Sequence, residues 1–383
     1  MKRFYKIPLA SECLTGYFDD ESLILLNKKS GFVYGFEKES AALVMEVETK
    51  LPILGKKGVL SHYKNTPLSF LSSIIEILSC ADKVEESYEA PFDYGDSDDK
   101  DKNQRLFVKA GSITFAFSKK YKSVLNLIEP VLEHLEENEN IGEDQKRIDV
   151  DFIPYEQEDD KLWQLLFNKK EVAPPVSLKT LPLILQENMI ILFYQSKPYL
   201  MAIHAAALSC GEFAVIMPGK SGSGKSTLAA KMAAEEFSIF SDEIALIGRN
   251  GTLKHIPFSM NIKEGSWGVL NDKYKELKSR QEYIRFDDQR VKLIAPKRIS
   301  KKQHKISSII FPKFKKGAST SLEELSPCKT LQMIKDSGYQ VDSPLNENNF
   351  DLILSNILSR PSYSLIYSDI DEAINVIREL RVG

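Results

Sequence analysis

Gly219-Lys220-Ser221-Gly222-Ser223-Gly224-Lys225-Ser226 decides how the rest of this chain reads. It satisfies G-x-x-x-x-G-K-[ST], the spacing of a loop that wraps phosphates. The glycines let backbone N–H groups approach an anion without Cβ clashes. The flanks agree with the motif. Glu212-Phe213-Ala214-Val215-Ile216-Met217 is a short apolar run of strand type, and Thr227–Glu236 is rich in helix formers. A helix starting at the end of such a loop aims its first N–H groups at bound phosphate. In that frame Gly219 through Thr227 hold a nucleotide, Lys225 reaches its β- and γ-phosphates, and Ser226 meets Mg²⁺.

Working outward, two further sites fall into place. His204 lies in Ala202–Ala207, 15 residues before Gly219. Two strand-like segments turning at Cys210-Gly211 would bring it back beside the loop, although on spacing alone it reads as a hydrogen-bonded core histidine. Downstream, Phe237–Ser241 is a strand candidate that ends in Asp242-Glu243. Ligands of open α/β sheets collect at the carboxyl ends of strands. Carboxylates there can hold Mg²⁺ or accept a proton from an attacking hydroxyl.

These spacings resemble the HPr kinase/phosphorylase family and its wider set of related kinases, over roughly residues 172–383. The family pattern of a histidine, a hairpin, a phosphate loop and a strand ending in paired acids matches His204, Gly219–Thr227 and Asp242-Glu243. Glu243 departs from the two aspartates usual in the bacterial enzymes. Met260–Ser266 looks like the segment that closes over phosphates, which would make Lys263 a nucleotide contact and Glu264 a metal ligand. Ile309–Pro312 and Tyr363–Asp369 resemble C-terminal signatures of the related kinases.

The resemblance implies a P-loop-containing, HPr-kinase-like α/β domain related to phosphoenolpyruvate carboxykinase, with a mixed sheet. It implies ATP and Mg²⁺ as cofactors and a protein or peptide hydroxyl as acceptor. It casts His204 as the partner orienting an acidic residue, and Lys225, Asp242 and Glu243 as catalytic. It does not assign base and metal partner within the acidic pair; Asp242 is the stronger candidate for the essential group, and is counted with Ser226 and Glu264 as metal-binding. HPr kinases form hexamers, which raises the expectation of a homo-oligomer.

Ahead of this region, residues 1–82 read as a small α+β module. Ser22–Leu26 and Phe32–Phe36 form a hairpin around Lys28–Gly31, followed by helices over Glu39–Glu48 and Pro67–Leu78. Glu21–Phe36 resembles a PqqD-like domain, which binds leader peptides by strand addition. That resemblance makes a ribosomally made precursor peptide the expected substrate. A kinase of small metabolites and a non-catalytic ATP sensor are the competing readings. Residues 83–104 read as an acidic linker. Residues 105–171 read as a β-α-β connection with an acidic stretch running to Asp160.

Bulk properties narrow the classes. Hydrophobic content of 43% and charged content of 27% suit an ordinary globular protein of two or three domains. A net charge of −3 leaves no overall basic footprint, so nucleic acid is not an expected partner. Cys13, Cys80, Cys210 and Cys328 are widely spaced, which suits reduced thiols in the cytoplasm. No signal-peptide core opens the chain, and the apolar stretch near Met189–Phe193 is too short for a bilayer. Neither membrane insertion nor export is therefore expected. The Lys- and Arg-rich run 292–316 reads as a solvated face, or as help with phosphates.

Overall fold

The computed structural model describes residues 2–63, 66–80, 104–133, 135–137, 146–157, 160–300 and 302–382. The acidic-linker reading of 83–104 falls almost wholly outside them. The described residues form a mixed α/β structure with several sheets.

The first sheet has order β1-β2-β3-β4, from β1 (Tyr5–Ile7), β2 (Leu14–Phe18), β3 (Ser22–Asn27) and β4 (Val33–Glu37), all antiparallel. Helices α1 (Lys38–His62) and α2 (Leu68–Leu78) follow; α1 is kinked at Gly55, three residues after Pro52. The strand Ser-Leu-Ile-Leu-Leu-Asn of β3 is apolar on both faces because both are covered. Leu23 and Leu25 pack on α1 and α2, whereas Ile24 and Leu26 face the C-terminal half of the chain.

The second sheet has order β10-β9-β8-β6-β5-β7. It comprises β5 (Arg105–Ala110), β6 (Ile113–Ser118), β7 (Glu136–Glu137), β8 (Lys146–Gln157), β9 (Asp160–Phe167) and β10 (Lys170–Glu171), with α3 (Lys122–Leu132) between β6 and β7. This is more than a β-α-β connection. Part of the supposed acidic stretch is the long strand β8, in which Ile148, Val150 and Phe152 alternate inward while Asp149 and Asp151 pair with Arg147 and Arg105; residues 138–145 lie outside the described residues. Arg147, Asp149 and Asp151, at every second position between apolar residues, are the polar side of a strand of period two. Helix α4 (Leu181–Gln195) packs beside α3 on this layer.

The third sheet centres on β11 (Met201–Cys210) and β12 (Phe213–Pro218), an antiparallel pair turning at Gly211. Helix α5 (Lys225–Glu235) follows the glycine loop. Strands β13 (Ser238–Ser241) and β14 (Ile244–Ile247) then run antiparallel along β11, and β15 (Leu253–Lys254) adds to β14. A separate small sheet joins β16 (Met260–Lys263), β17 (Glu282–Ile284) and β18 (Arg290–Ile294), with α6 (Glu264–Leu270) after β16. Strand β19 (Ser308–Phe314) returns parallel to β12. After it come β20 (Ser321–Glu324), α7 (Pro327–Ser337), β21 (Tyr339–Val341), α8 (Glu347–Ile353), β22 (Ser362–Tyr367) and α9 (Ile370–Val382). Strand β22 is parallel to β19, and β20 closes that edge.

Helices α5 and α9 cover one face of the third sheet. Helices α7 and α8 cover the other, and they are sandwiched in turn by the first sheet, so Tyr17, Ile24, Leu26 and Val33 share one core with Leu331, Phe350 and Ile353. No helix among the described residues is long and apolar enough to cross a membrane.

Candidate functional site

The loop follows a fully buried strand. Every residue of β12 is buried, which anchors the loop at one end, and α5 anchors it at the other. Gly222 and Gly224 adopt φ of +85° and +88°, left-handed values that a side chain would strain. A Cβ on Gly224 would also collide with the Tyr367 hydroxyl and crowd Phe314. Those aromatics buttress the loop from the ends of β19 and β22. The Tyr367 hydroxyl donates to the Gly224 carbonyl at 3.2 Å, and the Phe314 N–H donates to the Ser223 carbonyl at 2.9 Å. Within the loop, the buried Ser223 hydroxyl has no hydrogen-bond partner among the described residues. An orphaned buried donor of this kind is costly unless something fills the loop.

The antiparallel β11–β12 pair returns His204 to the loop, as its spacing suggested. His204 is half-buried and faces the cavity, so the core-histidine reading gives way. Its Nε2 lies 3.0 Å from Lys225 Nζ, and its Nδ1 lies 3.6 Å from a Glu243 carboxylate oxygen. Burial, and then the Lys225 charge, hold the imidazole below its ordinary pKa. A neutral ring is thereby favoured, with Nε2 free to accept from the Lys225 ammonium. Lys225 is itself buried, and burial lowers its pKa while Glu243 and Asp242 oppose that shift.

Asp242 and Glu243 lie at the junction of β13 and β14. The Ser241 hydroxyl accepts from the N–H groups of Glu243 (3.2 Å) and Ile244 (3.1 Å), which turns the strand locally. The two carboxylates then part. Glu243 opens into the cavity, where Asn261 Nδ2 donates to it at 3.3 Å. Asp242 is buried behind it and accepts the Asn261 backbone N–H at 3.3 Å.

The segment after β16 closes one side. Lys263 Nζ donates to the Ser221 hydroxyl at 2.6 Å, and Thr227 hydrogen-bonds Ser266 at the start of α6. Glu264 lines the cavity but is ion-paired with Arg290. Lys220 lines the cavity too but is largely exposed, its Nζ 3.6 Å from Asp336. Of the basic run, Lys292 is buried and donates to the Leu277 carbonyl at 2.7 Å, while Lys313, Lys315 and Lys316 are exposed beside the loop.

The loop, His204, Glu243, Asn261, Lys263 and Glu264 line one cavity of about 1330 Å³, whereas Asp242 and Lys292 do not reach it. Its wall also holds residues that sequence reasoning missed, namely Glu187 on α4, Arg285 after β17, and Phe314 and Tyr367 at the loop. Phe314 is half exposed at the mouth and packs edge-on against Tyr367 at 5.8 Å. No motif marked Glu187, Arg285 or Phe314, and Tyr367 was marked only as part of the Tyr363–Asp369 signature; Phe314 and Tyr367 fall at the ends of strands parallel to β12, where ligand contacts collect. Among the described residues, no three His, Cys, Asp or Glu side chains are grouped to hold a metal by themselves. Comparison with protein-family models and with curated proteins finds no match for this chain.

Proposed function

We propose that this protein is an ATP-dependent phosphotransferase acting on a Ser or Thr hydroxyl of a protein or peptide, with a precursor peptide the favoured acceptor. One observation carries the reading. A glycine loop with an orphaned buried hydroxyl shares its cavity with a His204–Lys225–Glu243 arrangement. Bound ATP·Mg²⁺ supplies the phosphoryl group and the cation that neutralises its charge. Mg²⁺ keeps waters and phosphate oxygens as ligands and needs one or two protein groups, so the lack of a protein-only cage among the described residues is compatible with it. Of the expected metal ligands Ser226, Asp242 and Glu264, Ser226 opens into the cavity without a competing ion pair and would hold it, whereas Asp242 is buried behind Glu243.

The chain's own residues divide the remaining work. Loop N–H groups and Lys225 hold negative charge. Glu243, with access to the cavity, takes the proton from the acceptor hydroxyl, and His204 positions it and Lys225. Asp242 is inside the protein and acts from behind this pair. The test is mass spectrometry of candidate peptides incubated with the protein, ATP and Mg²⁺. We expect the gain of one phosphoryl group with the native chain, and a rate lowered by at least about a hundredfold in Lys225→Ala and Asp242→Asn. Unchanged transfer in either variant would sink the mechanism.

A further inference from the structure

The cavity exceeds the roughly 300–1,000 Å³ of ordinary small-molecule sites. Its walls also differ chemically. The loop side presents Lys225 and Lys263. A face of α4 presents Leu183, Ile184, Glu187, Ile190, Ile191 and Tyr194, which recur at intervals of three and four and all line the cavity. Five of these are apolar or aromatic, and Glu187 sits in their middle.

Glu187 has no hydrogen-bond or ion-pair partner among the described residues. Arg285 is the cation whose charge reaches it, and Arg285 also ion-pairs with Asp287 at 3.4 Å, without a hydrogen bond at its Nε among the described residues. Burial raises the Glu187 carboxyl above its ordinary pKa, and the Glu243 charge adds to that. A carboxylate set among branched aliphatics, next to a second carboxylate, is complementary to a cation carried on an apolar group.

We infer that this face of α4 is the acceptor subsite, and that Glu187 selects a hydroxyl-bearing peptide segment with a Lys or Arg beside the hydroxyl and a branched aliphatic residue packed on Ile190 and Ile191. This rests on the phosphotransferase reading for the word acceptor, but the recognition itself is a binding property. Glu187 is a specificity residue here, and its role differs from that of Glu243.

The experiment is fluorescence anisotropy of labelled Ser peptides in the presence of ADP and Mg²⁺ at about pH 8, well above the ordinary carboxylate range. The peptides share a Leu next to the Ser and carry Lys, Ala or Glu on its other side. The full chain should bind the Lys peptide at least about tenfold more tightly than the Glu peptide. Glu187→Gln should flatten that ranking, and Glu187→Lys should reverse it, which also shows that this variant is folded. Equal affinities in the native chain, or the same ranking in Glu187→Lys, would overturn the inference. Transfer from ATP is measured on the same peptides separately. A charge ranking that follows residue 187 without transfer would keep the subsite and remove the kinase reading. Transfer without any charge ranking would do the opposite.

Discussion

Asp242 is a carboxyl group almost without access to water, and its chain neighbour is a second acid. Burial, reinforced by the Glu243 charge, pushes its pKa up to about 8, against 3.8 for the free side chain. The folded protein therefore holds this proton more tightly than the unfolded chain. The associated stability is complete below the unfolded value and is lost as pH rises toward 8. Asparagine has the same shape and cannot ionise. Asp242→Asn in the nucleotide-free protein should consequently melt higher than the native chain near pH 8, by at least about 2 °C, with a smaller difference near pH 5. Equal differences at the two pH values would show that the carboxyl is ionised throughout. Removing this group is thus expected to separate two effects, a gain in stability and a loss of transfer, and that outcome would argue against folding as the reason Asp242 is there.

Helix α7 illustrates how an element links the two halves of the chain. Its first turn is capped by Ser326, whose hydroxyl accepts the Lys329 N–H at 3.1 Å and donates to Glu37 at 2.7 Å. Pro327 at the first helical position is preset for that start. At the other end Gly338, with φ of +95°, stops the helix, and its carbonyl accepts the His204 N–H at 2.9 Å. One helix therefore touches both the first sheet and the strand that carries His204. Ser326→Ala should lower stability by about 0.5–2 kcal/mol in urea denaturation, since cap and cross-link are lost together. A change within error would mean that neither bond contributes.

At the scale of the molecule, the first sheet shares a core with the C-terminal half rather than riding on it. Tyr17 stacks edge-on against Phe350 at 5.4 Å, and Lys6 pairs with Glu347 at 2.8 Å across the same boundary. A Cβ on Gly35 would meet the Cys328 sulfur at 2.5 Å, so the sheet and α7 are in close approach. Deleting residues 1–82 would bare Leu331, Phe350 and Ile353 to water. The shortened chain should aggregate on size-exclusion chromatography. In the intact protein, Trp163 on β9 and Trp267 on α6 should report the same melting temperature within about 2 °C when each is the sole tryptophan. A monomeric, folded 83–383 fragment would contradict the shared core. Point changes on the edges of the first sheet are accordingly a cleaner probe of peptide binding than its removal.

The loop, its two flanking elements and the return of His204 were legible in the sequence because each depends on short-range spacing. Strand, glycines and helix are contiguous, and a tight turn at Gly211 sets the register of β11 on β12. The hairpin of β3 and β4 was legible for the same reason. Tertiary structure decided the rest. Periodicity says which face of an element is apolar and is silent on which element covers it. Helix α4 is apolar almost all round, so no face could be assigned to a cavity and Glu187 carried no signal. Likewise Asp242 and Glu243 are adjacent and chemically alike in sequence. Only the turn at Ser241 and the packing behind β11 put one carboxyl in water and the other in the core, and that difference in solvation gives the two acids different chemistry.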